Sequence, residues 1–256
     1  MSQEAERIFS WKYSRSPADA AAAADPYCCF PNRLEDIAVL RFALERRPEN
    51  AYTAYYLGNL FYDRKRYAEA GALWEKAAGK LPQFATVRRN LALYEYNKAG
   101  HPQRALEMLE AAFRLNPGDA RVLLELDQLR KKLGFSPAER FQLLDLHRET
   151  VLRRDDLTTE FVTLLNLLGE YEQALALIRG RRFHPWEGGE GRITAQYATS
   201  LKQLARHALE TGEPAQARTL LEAALHFPEN LGEGKLEGAK DNDIHYLLGI
   251  AARALG

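Results

Sequence analysis

A pattern of small residues that recurs about every 34 positions constrains the fold of this chain more than any other sequence feature. It is clearest between Ala51 and Pro82, where the recurring positions hold Leu57, Gly58, Phe61, Ala70, Trp74 and Ala77. Gly58 and Ala70 allow two helix backbones to approach closely, and Trp74 fills the space beside them. Pro82 ends the second helix, since it has no amide proton and its ring clashes with the preceding turn. The pattern therefore predicts two antiparallel helices per unit.

These spacings resemble the tetratricopeptide repeat (TPR). Related units recur through Leu91–Pro117, Phe161–Ile178 and Leu201–Ala224, while residues 118–153 keep a first helix but lose the small residues of its partner, predicted at Ser136–Arg153. The end, Asp241–Gly256, is a first helix without a second. No segment alternates like a strand. We therefore predict an all-α fold, a right-handed superhelical stack of about five helical hairpins, which is a TPR-like α-solenoid.

The pattern also predicts the domain organisation. Residues 1–32 form an extension that packs on the stack, and residues 33–256 form the repeat domain, with loop insertions at 180–192 and 228–241. Tyr27 and Phe30, between two prolines, predict a packed loop, and Asn32 is the expected N-cap of the first repeat helix. The adjacent Cys28 and Cys29 are expected to be free thiols, because a vicinal disulfide is strained.

Charge and hydropathy limit the function classes. Lys plus Arg equals Asp plus Glu at 35 each, so no net field attracts the chain to nucleic acid or anionic membrane. No apolar run is long enough to cross a bilayer, and residues 1–7 lack a secretory signal. We therefore expect a cytoplasmic protein that binds neither nucleic acid nor membrane, without cofactor or metal. Repeats of this kind usually hold partners, so we expect no enzymatic activity.

The first helices carry the first group of candidate binding residues, on what would be the concave face. Their aromatic, amide and cationic side chains are Tyr55, Asn59, Tyr62, Arg89, Asn90 and Arg121. Asn59, Asn90 and Arg121 resemble part of the carboxylate clamp with which some TPR domains hold a peptide C-terminus. The match is incomplete, because Tyr55 and Glu125 stand where that clamp has basic groups. Asparagines at these positions also occur in repeats that bind nothing known.

The two loop insertions carry the second group, and both should emerge on the same edge of the stack. In the first loop, Trp186 could stack on a sugar ring, and Glu187 and Glu190 could accept hydrogen bonds from hydroxyls. The alternative is that Trp186 and Phe183 plug a groove while the glycines shape a turn. The glycines do not form a phosphate loop, because no strand precedes them and no Lys-Ser or Lys-Thr pair follows.

The second loop ends in Asn242, Asp243 and His245. Asp241 or Asp243 is well placed to cap the last helix. Asp241, Asp243 and His245 could instead bind a metal, although their spacing matches no standard ligand pattern. An acid–base pair with Glu187 or Glu190 would require pKa values that differ, and the sequence holds no sign of that.

Four runs also resemble the C-terminal helical region of a bacterial protein family: residues 27–35, 55–63, 186–191 and 242–246. Members of that family carry a large N-terminal β-rich region of uncharacterised function, related to carbohydrate-active enzymes, followed by TPRs. The resemblance implies that this chain is the helical part of a larger protein whose chemistry resides elsewhere.

Two functions are therefore predicted. The first is a non-catalytic scaffold that binds a protein or a β-rich domain of the same parent chain. The alternative is the helical part of a carbohydrate-active protein, with a sugar site at the glycine-rich loops.

Overall fold

A computed structural model describes residues 17–26 and 29–256, and within those ranges every regular element is a helix. The all-α prediction is therefore confirmed. The α-helices are α1 Pro17–Ala23, α2 Leu34–Arg46, α3 Ala51–Asp63, α4 Tyr67–Lys80, α5 Ala85–Tyr94, α6 Pro102–Leu115, α7 Ala120–Lys132, α8 Pro137–Leu146, α9 Arg148–Val151, α10 Asp155–Leu167, α11 Tyr171–Arg179, α12 Arg192–Glu210, α13 Pro214–Ala224 and α14 Asn242–Leu255.

The chain divides into two compact units, and the boundary lies inside α7. Unit 1 extends to Leu126, and unit 2 runs from Asp127 to Gly256. Within each unit, helices that follow one another along the chain pack against one another. Among the described residues, no helix combines the length and the apolar character that crossing a membrane requires.

The hairpin of α3 and α4 in unit 1 is built as the small-residue pattern predicts. Asn50 begins α3, its Oδ1 accepting a hydrogen bond from the Thr53 amide at 3.1 Å. A Cβ added to Gly58 would come within 2.6 Å of the Trp74 indole, so only glycine admits this ring. Ala70 is fully buried beside them. Small residues thus set the distance between the two helices.

The start of unit 1 differs from the sequence prediction in two respects. The first repeat helix begins at Leu34, and Asn32 does not cap it. The Asp36 carboxylate instead accepts hydrogen bonds from the amides of Asn32 and Arg33, at 3.2 and 3.0 Å. Phe30 is 69% exposed and not packed.

The N-terminal extension contacts the repeats through a few specific bonds. The Tyr56 hydroxyl donates to the carbonyl oxygen of Ala24 at 3.0 Å, and Ala21 is buried in the core of unit 1. Cys29 is a half-buried free thiol whose pKa is raised, first by burial and then by the charge of Asp36. Tyr27 and Cys28 lie outside the described residues.

The first helix pair of unit 2 is irregular. The single helix predicted for Ser136–Arg153 is wrong: α8 ends at Leu146 and the short α9 follows after His147. In place of small residues, α8 presents Arg140, which is buried and bonds Asp127 with both Nε (2.9 Å) and Nη2 (2.6 Å). Glu160 of α10 accepts from the same guanidinium at 3.2 Å. The lost pattern therefore marks a buried ionic contact.

The remaining pairs, α10 with α11 and α12 with α13, follow the predicted pattern. The last helix, α14, packs through Ile244, Leu247 and Ala251. Its Tyr246 is 71% exposed, and a Cβ added to Gly249 would meet no atom within 4 Å. The Leu-Gly pair of α14 thus repeats the sequence of Leu57-Gly58, but among the described residues no side chain packs on Gly249.

Candidate binding surfaces

Two asparagines connect neighbouring first helices of unit 1. The Oδ1 of Asn59 on α3 accepts hydrogen bonds from Trp74 Nε1 at 3.0 Å and from Asn90 Nδ2 on α5 at 3.1 Å. Both asparagines are half-buried. The Trp74 side chain that packs on Gly58 therefore also orients Asn59, so the repeat packing determines where these amides lie.

An ion-pair cluster continues the same face toward α7. Glu125 accepts hydrogen bonds from both arms of the Arg89 guanidinium, with Nε at 2.6 Å from Oε2, and from Arg121 Nε at 3.3 Å. Arg89 and Glu125 are mostly buried, whereas the Arg121 side chain is 65% exposed. Glu125 therefore partly neutralises the cations that a carboxylate clamp would need, and Arg121 remains the accessible charge. We call Asn59, Asn90, Arg89, Arg121 and Glu125 the first-helix face.

The two tyrosines predicted on this face lie deeper than expected. Tyr55 is only 2% exposed and its ring packs edge-on against Phe84, with centroids 4.9 Å apart, so its prediction as a partner-binding residue is wrong. The spacing of the tyrosines indicated a binding surface, but the ring of Tyr55 instead lies in the core. Tyr62 is half-buried, with its ring centroid 5.2 Å from that of Trp74.

The two loops of unit 2 contact one another, as their positions in the repeat predict. Asn230 Nδ2 donates to the carbonyl oxygens of Ile178 and Arg181, both at 2.8 Å, and the Phe183 amide donates to the Asn230 carbonyl at 2.7 Å. Phe183 is buried. At the start of α12, the Gly191 amide donates to the Glu233 carboxylate at 2.9 Å. The hydrogen bonds of Asn230 therefore hold the second loop against the first.

A groove of about 220 Å³ lies between α12, the second loop and the start of α14. Its apolar lining includes Ala195 and Ala198 of α12 together with Phe227, Leu236 and Ile244. Three lysines, Lys202, Lys235 and Lys240, line it together with Asp241 and Thr199. We call this the lysine groove. It combines cationic and apolar surface in one concavity.

The six loop residues predicted as binding residues do not line this groove. Trp186 is half-buried and its indole covers Gly189, where an added Cβ would come within 2.0 Å of the ring. The other residues, all exposed, are Glu187, Glu190, Asn242, Asp243 and His245. Trp186 therefore packs on its own turn, and the carboxylates beside it remain accessible.

The carboxylates at the start of α14 are paired with lysines. Asp243 accepts from Lys202 Nζ at 2.6 Å and from the Ile244 amide at 3.0 Å, and the Lys202 bond is the main reason its pKa is lowered. Of the two carboxylates predicted as alternative caps, Asp243 bonds a first-turn amide. Asp241 is the N-cap residue but its side chain makes no cap bond, and that carboxylate bonds Lys235. In the described part of the chain, no three His, Cys, Asp or Glu side chains are grouped to hold a metal ion.

Sequence reasoning missed the lysines of the groove and Asn230. Lys202 belongs to a helix, while Lys235 and Lys240 belong to a loop that the repeat pattern does not place. No local motif connects them, because they meet only when the second loop folds against α12. The glycine-rich composition of that loop was the one available signal.

Comparison with known proteins supports the fold. No family model matches the chain. It is similar to the crystal structure of YrrB, described as a TPR protein with an unusual peptide-binding site, at 18% sequence identity and a TM-score of 0.51, covering 84% of this chain and 97% of that one. It is also similar to a TPR protein from Parabacteroides merdae, at 16% identity and a TM-score of 0.50, covering 98% and 99% of the two chains. The chain therefore has a TPR-like helical-repeat fold.

Proposed function

We propose that this chain is a non-catalytic helical-repeat scaffold that binds a protein partner through the first-helix face of unit 1. The observation that carries the proposal is the bonding of Asn59 Oδ1 to both Trp74 and Asn90. It fixes two half-buried amides on neighbouring helices, so little side-chain entropy is lost when a partner binds them. Side-chain amides both donate and accept, which suits the backbone of a protein segment.

The charge of this face favours a partner with a local negative charge. After Glu125 is shared by Arg89 and Arg121, the face retains one positive charge, on the exposed side of Arg121. The resemblance to proteins with an N-terminal β-rich region makes such a region of the parent protein the first partner to test. The fold is compatible with this role, since the similar YrrB structure is described as having a peptide-binding site.

The carbohydrate alternative rests on the loops of unit 2. Exposed Glu187 and Glu190 flank a turn on which Trp186 is packed. A sugar would need the outer face of that indole, because the inner face covers Gly189. The two functions thus depend on different units of the chain, and one set of variants separates them.

The experiment measures binding of the intact chain to a separately produced β-rich region of the resembling family by isothermal titration calorimetry. Replacing Asn59 and Asn90 together with alanine should weaken binding about tenfold or more, as for well-ordered interface residues. The matched control is Gln103→Ala, which removes an exposed amide from the second helix α6. It should leave the affinity unchanged.

Two results would contradict the scaffold proposal. One is equal affinity of the double asparagine variant and the wild-type chain, which would remove the first-helix face from binding. The other is binding to a glycan array that Trp186→Ala abolishes, together with no binding to the β-rich region. That second result would favour the sugar site at the loops.

A further inference from the structure

The lysine groove of unit 2 has both apolar and cationic lining residues. Ala195 and Ala198 of α12 line it with short side chains, and Phe227, Leu236 and Ile244 line it with larger apolar ones. Apolar side chains in a concavity bind apolar ligand groups, while a few convergent polar groups orient the ligand. The three lysines supply those groups here.

The cations of the groove are not equally occupied. Lys202 bonds Asp243, and Lys235 bonds Asp241. Because an ammonium group carries three hydrogen-bond donors, each of these two lysines can still donate to a ligand. Lys240 has no carboxylate partner among the described residues. The amide at the start of α12 is already bonded by Glu233, so that helix end is not the anchoring point. Lys240 is therefore the cation available to a ligand.

We infer that the lysine groove binds an amphipathic organic anion, a carboxylate or phosphate monoester with an unbranched apolar tail. Its head group contacts Lys240 and the remaining donors of Lys202 and Lys235, and its tail lies on Ala195 and Ala198. The volume of about 220 Å³ suits a tail of moderate length. This site is in unit 2, so it goes beyond the proposed partner binding in unit 1 and does not depend on it.

The test is calorimetry on the intact chain with hexanoate, octanoate and decanoate. Each methylene that enters the groove should tighten binding about fourfold until the groove is full. Octyl phosphate is the second arm: whichever eight-carbon ligand binds more tightly identifies the preferred head group. Octyltrimethylammonium has a comparable tail with the opposite charge, and it should bind at least tenfold more weakly than octanoate because the lysines repel it.

Two variants locate the site. Lys240→Ala should weaken octanoate binding about tenfold, because it removes a charged hydrogen-bond donor. Ala198→Leu should abolish binding by filling part of the groove, and circular dichroism tests whether this variant is folded. The matched control is Lys76→Ala, which removes an exposed lysine of α4 in unit 1. It should leave octanoate binding unchanged. Equal affinities along the carboxylate series, or no effect of Lys240→Ala, would overturn the inference even if Ala198→Leu failed to fold.

Discussion

The α3–α4 hairpin and the pair formed by the end of α7 with α8 hold their helices together by different means. In the first, Gly58 admits the Trp74 ring and Ala70 is buried without a gap. In the second, a guanidinium and a carboxylate are buried together, since Arg140 bonds Asp127 through two nitrogens. One contact depends on the absence of side-chain atoms and the other on a pair of charges.

The difference teaches that loss of a repeat pattern does not mean loss of packing. Where the small residues are absent, an ion pair provides the close contact, and Glu160 accepts from Nη2 of the same guanidinium. Dispersion contacts tolerate many apolar substitutions of similar volume. A buried ion pair tolerates far fewer single changes, because either charge left alone is desolvated without compensation. The irregular pair should therefore be the more sensitive to point mutation.

The largest effect on the contact between α7 and α8 is expected from Arg140→Ala. It leaves Asp127 buried without its partner, and we expect a loss of about 3–5 kcal/mol in the free energy of unfolding. Urea unfolding of the intact chain, followed by circular dichroism, measures it. The control is Arg218→Ala, which removes an exposed ion pair with Glu222 and should leave the free energy of unfolding almost unchanged.

A double variant sharpens the same point. Asp127→Leu with Arg140→Met replaces both charges with apolar groups, so it should recover most of the stability lost in Arg140→Ala. A double variant as unstable as the single one would mean that packing, and not charge pairing, dominates at this contact.

The second prediction concerns the small-residue contact. Gly58→Ala places a Cβ where the Trp74 indole lies, 2.6 Å away. Overpacking costs about 1–3 kcal/mol, of which the better helix propensity of alanine offsets up to about 1 kcal/mol. With the full offset, thermal unfolding should therefore show a net loss of about 0–2 kcal/mol.

Gly249→Ala is the matched control for Gly58→Ala. Gly249 follows a leucine in the same repeat position of α14, but a Cβ there meets nothing. Alanine should stabilise the chain by about 0.5–1 kcal/mol through propensity alone. The same sign for both glycine variants would show that the close contact with Trp74 is not decisive.

The third prediction addresses the start of α8. Ser136 and Glu139 form a capping box: the serine hydroxyl accepts from the Glu139 amide at 3.3 Å, and the glutamate accepts from the Ser136 amide at 2.8 Å. Ser136→Ala should cost about 1 kcal/mol in chemical unfolding. Ser136→Asp retains a capping oxygen, so it should keep most of the stability that Ser136→Ala loses. If serine, alanine and aspartate are equivalent, the cap contributes nothing to the irregular pair.

The smallest effect is expected from pH at the same cap. Hydrogen bonds from Ser136 lower the pKa of Glu139 in the folded state. Its stabilising contribution is therefore present above the unfolded-state pKa and is lost as the pH falls through the lower folded-state pKa. Glu139→Gln should flatten this part of the stability profile, measured by urea unfolding at a series of pH values. The control is Glu172→Gln, at an exposed position of α11. It should leave this part of the pH dependence of stability unchanged.

The sequence predicted most helix pairs because each rests on local patterns. Gly58, Ala70 and Trp74 stand at spacings that only one kind of hairpin uses, and the helices lie where those spacings put them. The candidate sites were harder. The spacing of Tyr55 is the same whether its ring faces solvent or Phe84, so periodicity could not distinguish a binding tyrosine from a core tyrosine.

The amino-acid sequence by itself determined the all-α class, the pairing of neighbouring helices and the close contact of α3 with α4, because these follow from residues within one repeat. The tertiary structure decided which polar groups are available. Glu125 engages Arg89 and Arg121, and Lys240 remains without a carboxylate partner among the described residues. The Arg89–Glu125 pair joins residues 36 positions apart in the chain, and its energy depends on burial and distance, which no repeat spacing encodes.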